Sequence, residues 1–190
     1  GDDIGAGIIL NGELYSGSNG KAGVNIGHLI VKPDGPKCEC GAHGCLQTLV
    51  SSNAIITRAK QLLKESSNSI LSSHLDNSTN WLSVKTIAEA AKAGDAVSLK
   101  VMDETCMYLA VAISNLVNCL DPEIVIIGGG IAQSGEVLFI PLMKYIQDYI
   151  KPINPMVKVS PSMLGSDAYA IGAAAVVLHQ IFSTPKKFLS

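Results

Sequence analysis

Three of the chain's five cysteines, Cys38, Cys40 and Cys45, crowd into one short stretch, GHLIVKPDGPKCECGAHGCLQ, running from Gly27 to Gln47. His28 opens that stretch and His43 lies inside it. One imidazole and three sulfurs form a donor set that zinc takes as a closed tetrahedral site, with Zn–S about 2.3 Å and Zn–N about 2.0–2.1 Å. Four protein ligands leave no position for water, so such an ion would hold shape rather than activate a nucleophile. Cys38 and Cys40 are too close in sequence for a comfortable disulfide, but both thiolates can reach one ion. Pro36, Gly41 and Gly44 let the backbone fold tightly around it. A loop this polar offers unliganded cysteines no apolar burial, which favours a metal over free thiols. On spacing alone, His28 and His43 remain rivals for the fourth position.

The rest of the composition sets bounds. The 190 residues suit one domain, and 47% apolar residues are enough for a real core. A net charge of −2 with no Lys/Arg-rich run predicts no affinity for a polyanion. The longest apolar run, in YLAVAISNLVNCL, is short for a membrane span and is interrupted by Ser and Asn. No signal-peptide pattern opens the chain. The odd cysteine count then reads as reduced and cytosolic, so a cytoplasmic location is expected. The chain starts on GDDIGAGIIL rather than on Met, and is expected to be a fragment lacking an N-terminal part.

Hydrophobic patterning predicts a β-hairpin in which Ile8–Leu10 and Glu13–Tyr15 flank the turn Asn11-Gly12. HLIV reads as a short strand, and Pro33 to Gly44 as a loop. One helix is expected from Leu46 to about Lys64, with SSN offering a cap. Ser66 to Asn80 reads as a loose excursion. A helix then starts near Ser83 and stops at Gly94. A long amphipathic helix follows, with Asp95 as its N-cap and Cys106 and Cys119 in its core face. PEIVIIGGG reads as a buried strand ending in glycines, EVLFIPLMKYIQDYI as a helix, MVKVS as a strand and DAYAIGAAAVVLHQIF as a helix of small residues. Strands alternating with helices imply an α/β fold with a mostly parallel sheet, to which the hairpin adds antiparallel strands. Asp121 and Asp167 read as turn and cap residues.

GH, a spacer and then CECGAHGCLQ resembles the signature of the ROK family of repressors, open reading frames and sugar kinases: GH, a spacer, CxCGxxGCxE. GAGIILNGELYSGSNGKAG before it, and LDPEIVIIGGGI and DAYAIGAAAVVL after it, carry the likeness over nearly the whole chain except Ser66 to Asn80. The resemblance implies the C-terminal lobe of the actin-like ATPase (ribonuclease H-like) sugar kinase fold, a mixed sheet flanked by helices with a zinc-bound loop, spanning residues 1–190. It implies structural zinc on His28, Cys38, Cys40 and Cys45, with His28 also touching a bound sugar. It further implies a sugar site that includes Asn25 and Gln47, nucleotide-contacting turns at Gly5, Gly7 and Gly128 to Gly130, and a homodimer or higher oligomer.

Several positions depart from the family pattern. Asn25 and Gln47 stand where the family's sugar site has glutamates, which keeps hydrogen-bonding ability and removes negative charge. Val24 is an extra residue beside the first of these. Where kinases of the family resemble GTGIGGG, this chain has GDDIGAG, and Asp2 and Asp3 would repel a triphosphate unless a metal intervened. The family's catalytic base belongs to a lobe outside this chain, so no catalytic residue is assigned here. The expected function is the sugar-sensing, oligomerising domain of a transcriptional regulator, similar to the family's xylose repressors, with DNA bound only through an upstream helix-turn-helix. The alternative is a sugar kinase using ATP and Mg²⁺ on a hexose, and a third option is a degenerate fold used only for assembly.

Overall fold

The computed structural model describes residues 3–66, 68–74, 82–150 and 157–183. Its organising element is α4 (Ala96–Leu120), a 25-residue helix whose Val97, Val101, Met102, Cys106, Ala110, Ile113 and Val117 are buried. This burial on several faces has a simple origin. α1 (Gln47–Val50), α2 (Ser52–Glu65), α3 (Val84–Lys92) and α5 (Glu136–Ile150) all pack against α4, and α5 does so most extensively. The apolar surface that the sequence leaves spare on this helix is therefore used inside the chain. Helix α5 presents Leu138, Leu142, Ile146 and Ile150 to the core, one residue every turn. Each such side chain contributes about 1.5–3 kcal/mol on burial.

Helix starts follow local chemistry. Ser83 caps α3 in a reciprocal box with Thr86, whose hydroxyl accepts from the Ser83 N–H at 2.9 Å. Asp95 caps α4: its Oδ2 accepts from Ser98 N at 2.8 Å and from Ser98 Oγ at 2.7 Å. The same carboxylate accepts from Ile70 N at 2.8 Å and Ser69 Oγ at 3.0 Å. The Ser-rich excursion is thus tied to the core at Ser69 and Ile70, where it makes a 3₁₀ turn over Ile70–His74 and buries Leu71. The remainder of that predicted excursion, at 67 and 75–80, lies outside the described residues. At the other end of α4, Asp121 takes the left-handed conformation, φ 44°, that ends the helix and turns the chain into a strand.

The hairpin forms as expected, with β1 (Ile9–Leu10) antiparallel to β2 (Glu13–Leu14) around Asn11-Gly12. β3 (Ile124–Ile127) pairs in parallel with β4 (Lys158–Pro161), Ile124 opposite Lys158. Several expectations are corrected. Among the described residues the two pairs are separate sheets rather than one mixed sheet, because no ladder joins the two-residue hairpin strands to β3 or β4. β3 is not a buried strand: with only β4 beside it, Ile124 and Ile126 are exposed. HLIV is no strand either; Val24–His28 coil into a 3₁₀ turn, and Ile30 makes a single antiparallel bridge to Cys45. The helix expected from Leu46 to Lys64 breaks at Ser51, which turns extended and caps α2 by accepting from Ala54 N at 3.3 Å. Cys106 is buried but Cys119 is exposed; thirteen residues on, at about 100° each, Cys119 lies on the far side of the helix. α6 (Ala168–Ser183) carries exposed Tyr169, Val177 and Leu178 and meets the hairpin through His179 Nε2 and Glu13 Oε2, 3.0 Å apart.

Burial opposes ionisation of Asp95, but the hydrogen bonds from Ser98, Ile70 and Ser69 outweigh it and hold the carboxyl below its usual value. A depressed native pKa contributes stability above the unfolded carboxyl range, about pH 4, that is lost as pH falls through the lower native value. Asp95→Ala is expected to cost about 2 kcal/mol by urea denaturation at pH 7, since a cap and a long-range tie are lost together. The gap between the two proteins should narrow on acidification below about pH 4.

Candidate functional site

The cysteine loop is built by short backbone bonds rather than by sheet or helix. Leu46 N donates to Leu29 O at 2.8 Å, Val31 N to Gly44 O at 2.9 Å and Gly44 N to Pro36 O at 2.8 Å. At its tip, Cys38 N donates to Ala42 O at 2.7 Å and Gly41 N to Cys38 O at 3.0 Å. The loop rests on a second, smaller core in which Leu46, Leu49, Val50 and Ala112 are buried against Ile4, Ile26, Leu29 and Val31. Arg58 fixes the floor, donating to Leu49 O at 2.6 Å and Thr105 Oγ1 at 3.0 Å and pairing with Glu104 at 3.2 Å. Gly44 is required by geometry: its φ is +68°, and a Cβ there would collide with the Lys32 carbonyl.

This scaffold brings together His28, Cys38, Cys40 and Cys45, whose ligand atoms all lie within 4.8 Å of one another. His28 Nδ1 is 3.6 Å from Cys38 Sγ, and Cys40 Sγ is 3.6 Å from Cys45 Sγ. Zinc bond lengths in a tetrahedron place two sulfurs about 3.8 Å apart and a sulfur and a nitrogen about 3.6 Å apart. The donor set and its spacing therefore fit a closed tetrahedral ion. Of the two rival histidines, His28 joins the sulfurs, whereas His43 is exposed, forms an antiparallel bridge with Lys37 and stands outside the cluster. As bare thiols Cys45 and Cys40 differ. Burial, then the neighbouring thiols, push Cys45 up to about 12, whereas a bond at the Ala42 backbone, then its two sulfur neighbours, hold Cys40 below the ordinary thiol value. Three sulfurs this close cannot all be thiolates without a cation between them.

The expected sugar-site residues surround this cluster. Asn25 and His28 stand three residues apart on one 3₁₀ turn, where such positions share a face; Asn25 is exposed and His28 half-buried. Gln47, the first residue of α1, is half-buried, and its Nε2 donates to Cys38 Sγ at 3.8 Å and to Glu39 Oε1 at 3.0 Å. Glu39 was not singled out by the motif, because the loop's turn at Cys38–Gly41 is what brings it opposite Gln47. Gln47, Glu39 and Thr48 open on a cleft of about 750 Å³ that also takes in Lys32, Arg58 and Tyr108.

The glycine turns meet as well. Gly5 and Gly128 to Gly130 line one cavity of about 210 Å³, together with Asp3, Ile126 and Tyr169. Gly7 is not among its lining residues, and Tyr169, whose hydroxyl approaches the Gly129 position, is a wall residue that sequence reasoning missed. The signal available for it was its place one residue into α6, in the stretch DAYAIGAAAVVL.

Comparison with known proteins bears on these arrangements. The model of the ROK family matches residues 1–180. The chain is 37% identical over 182 residues to a glucokinase of Thermotoga maritima, covering 95% of this chain and 57% of that protein. It is 36% identical over 174 residues to the DNA-binding transcriptional dual regulator NagC of Escherichia coli, covering 91% of this chain and 41% of the regulator. Among solved structures, a ROK family glucokinase from Streptomyces griseus in complex with glucose and AMPPNP superposes with a TM-score of 0.80 at 31% identity, covering 90% of this chain and 56% of that one. The chain spans about half the length of the curated relatives it matches. Kinases and regulators resemble it to a similar degree, so overall likeness does not choose between them.

Gly44→Ala is expected to open the loop without removing a ligand atom. Cys38 and Cys45 are buried, so in the metal-free protein their reaction with a thiol reagent should accelerate at least about tenfold. Cys106, buried in the main core, serves as the internal control and should keep its rate.

Proposed function

The chain belongs to the ROK family, and from that premise we propose that it is the sugar-sensing region of a ROK-type transcriptional regulator. The observation that carries this reading is Asp3, which lines the cavity shared by the Gly5 and Gly128–Gly130 turns. A carboxylate there repels the phosphates that a kinase must cradle, and phosphoryl transfer depends on preorganised positive charge at that place. Asn25 points the same way, since an amide holds a sugar hydroxyl less firmly than a carboxylate does. Binding tolerates that looseness far better than catalysis, in which a displacement of about 1 Å costs on the order of a hundredfold in rate. A regulator requires only a difference in sugar affinity between its two DNA-binding states. The DNA contact and the assembly into dimers belong, in this reading, to the whole protein.

The His28, Cys38, Cys40 and Cys45 cluster would hold zinc as a structural ion, which would fix the imidazole of His28 and leave its Nε2 free to hydrogen-bond a sugar hydroxyl. Support comes from the donor set and its 3.6 Å spacings. A second reading, an ATP-dependent hexose kinase, is favoured by one observation, the meeting of both glycine turns on a single cavity.

Purified full-length protein is expected to carry about one zinc per chain by elemental analysis, and Cys40→Ser to lose it. A stoichiometry near zero after purification without chelators would remove the metal from the account. The two functional readings separate in a coupled assay of ADP release beside calorimetry, with glucose, xylose and N-acetylglucosamine as probes. Sugar binding without sugar-dependent ADP release is expected. Turnover on the order of 1–100 s⁻¹ would overturn the regulator reading in favour of the kinase.

A further inference from the structure

We infer that Glu39 is the carboxylate that binds the sugar in this chain, and that Gln47, which occupies the family's glutamate position, positions Glu39 rather than gripping the sugar itself. This inference rests on the sugar-sensing reading above and adds to it the residue that does the recognising.

The argument begins with the amide of Gln47. Its nitrogen has two N–H groups, and both are engaged: Nε2 lies 3.0 Å from Glu39 Oε1 and 3.8 Å from Cys38 Sγ. Its oxygen faces the opposite way, toward Gly27, where even a methyl group would crowd it at 2.8 Å. Gln47 is therefore clamped between the metal loop on one side and the turn carrying Asn25 and His28 on the other. An amide fits this place because it donates to both acceptors at once. A glutamate here would set its charge against both Glu39 and the Cys38 sulfur, and would drive Glu39 away.

What Gln47 loses as a ligand, Glu39 supplies. It is exposed, it lines the cleft of about 750 Å³ beside Gln47 and Thr48, and its Oε2 has no hydrogen-bond partner among the described residues. One carboxylate oxygen is thus held by the protein, and the other is left to accept from a hydroxyl, on a residue that lines the cleft. Two adjacent hydroxyls of a neutral monosaccharide suit such an oriented acceptor. The negative charge absent at position 47 is carried instead by Glu39, between Cys38 and Cys40.

The test is an exchange of the two residues in the zinc-loaded full-length protein. Binding is followed by calorimetry with glucose, xylose and N-acetylglucosamine, and zinc content and thermal midpoint are measured on every variant. Glu39→Gln should weaken sugar binding at least about tenfold while zinc content stays unchanged, because Glu39 is exposed and outside the ligand set. Gln47→Glu should weaken it comparably, by repelling Glu39. The double exchange, Glu39→Gln with Gln47→Glu, leaves no carboxylate at position 39 and so should bind no more weakly than Glu39→Gln alone, to within about threefold, whereas two independent losses would multiply. Equal binding by Glu39→Gln and the unaltered protein would overturn the inference and leave sugar sensing standing. Losses that multiply in the double exchange would overturn the positioning role of Gln47, and full affinity in the double exchange would overturn the assignment of the sugar-binding carboxylate to position 39. Failure of all three sugars to bind the unaltered protein would overturn the sugar-sensing reading, and this inference with it.

Discussion

A helix with buried side chains on every turn from Val97 to Val117 has to be covered from several directions, and that need organises the fold. α5 lies along one side of α4, α2 and α3 cover others, and the Ala112 face is left for α1 and the cysteine loop. The helix also sets where its neighbours begin. Asp95 at its N-terminus gathers the Ser69–Ile70 turn, and Asp121 at its C-terminus redirects the chain into β3.

The candidate site inherits its rigidity from this arrangement. The loop from Leu29 to Leu46 has almost no regular secondary structure, so its shape depends on a few backbone bonds and on a floor that does not move. Arg58 supplies much of that floor by joining the end of α1 to Thr105 and Glu104 of α4. Its guanidinium also stands 5.7 Å from the centre of the Tyr108 ring, with Lys32 Nζ at 5.9 Å. A closed four-ligand ion would add the last constraint, holding together sulfurs that otherwise repel as thiolates. Preorganisation of this kind favours a small polyol, because little ordering cost remains at the moment of binding.

Relatives of both kinds, a glucokinase and a DNA-binding regulator, share this architecture at nearly equal identity. The fold alone therefore does not select an activity. In the reading proposed above, what would distinguish one use from another is charge at a handful of positions: an acid in the glycine-lined cavity at Asp3, amides at Asn25 and Gln47, and an acid at Glu39. None of these alters the backbone that carries it, which is why one scaffold can serve catalysis and sensing.

The residues of the histidine–cysteine cluster were legible in the sequence because sulfur and imidazole donors are rare and their spacing is confined to one loop. Caps and stops were legible for the same local reason: Ser83, Asp95 and Asn11-Gly12 act on backbone groups a few residues away. The choice of His28 over His43 was not, since both lie within reach along the chain and only the 3₁₀ turn at Val24–His28 aims one of them at the sulfurs. The break at Ser51, the exposure of Cys119 and the separation of the hairpin from β3 and β4 depend on what packs beside each element, which periodicity does not record. The contact between Gln47 and Glu39 is of the same kind. Sequence determined which donors, acids and amides the loop would carry; the tertiary structure decided which of them face each other, because those distances are set by chain closure over a common core rather than by spacing along the chain.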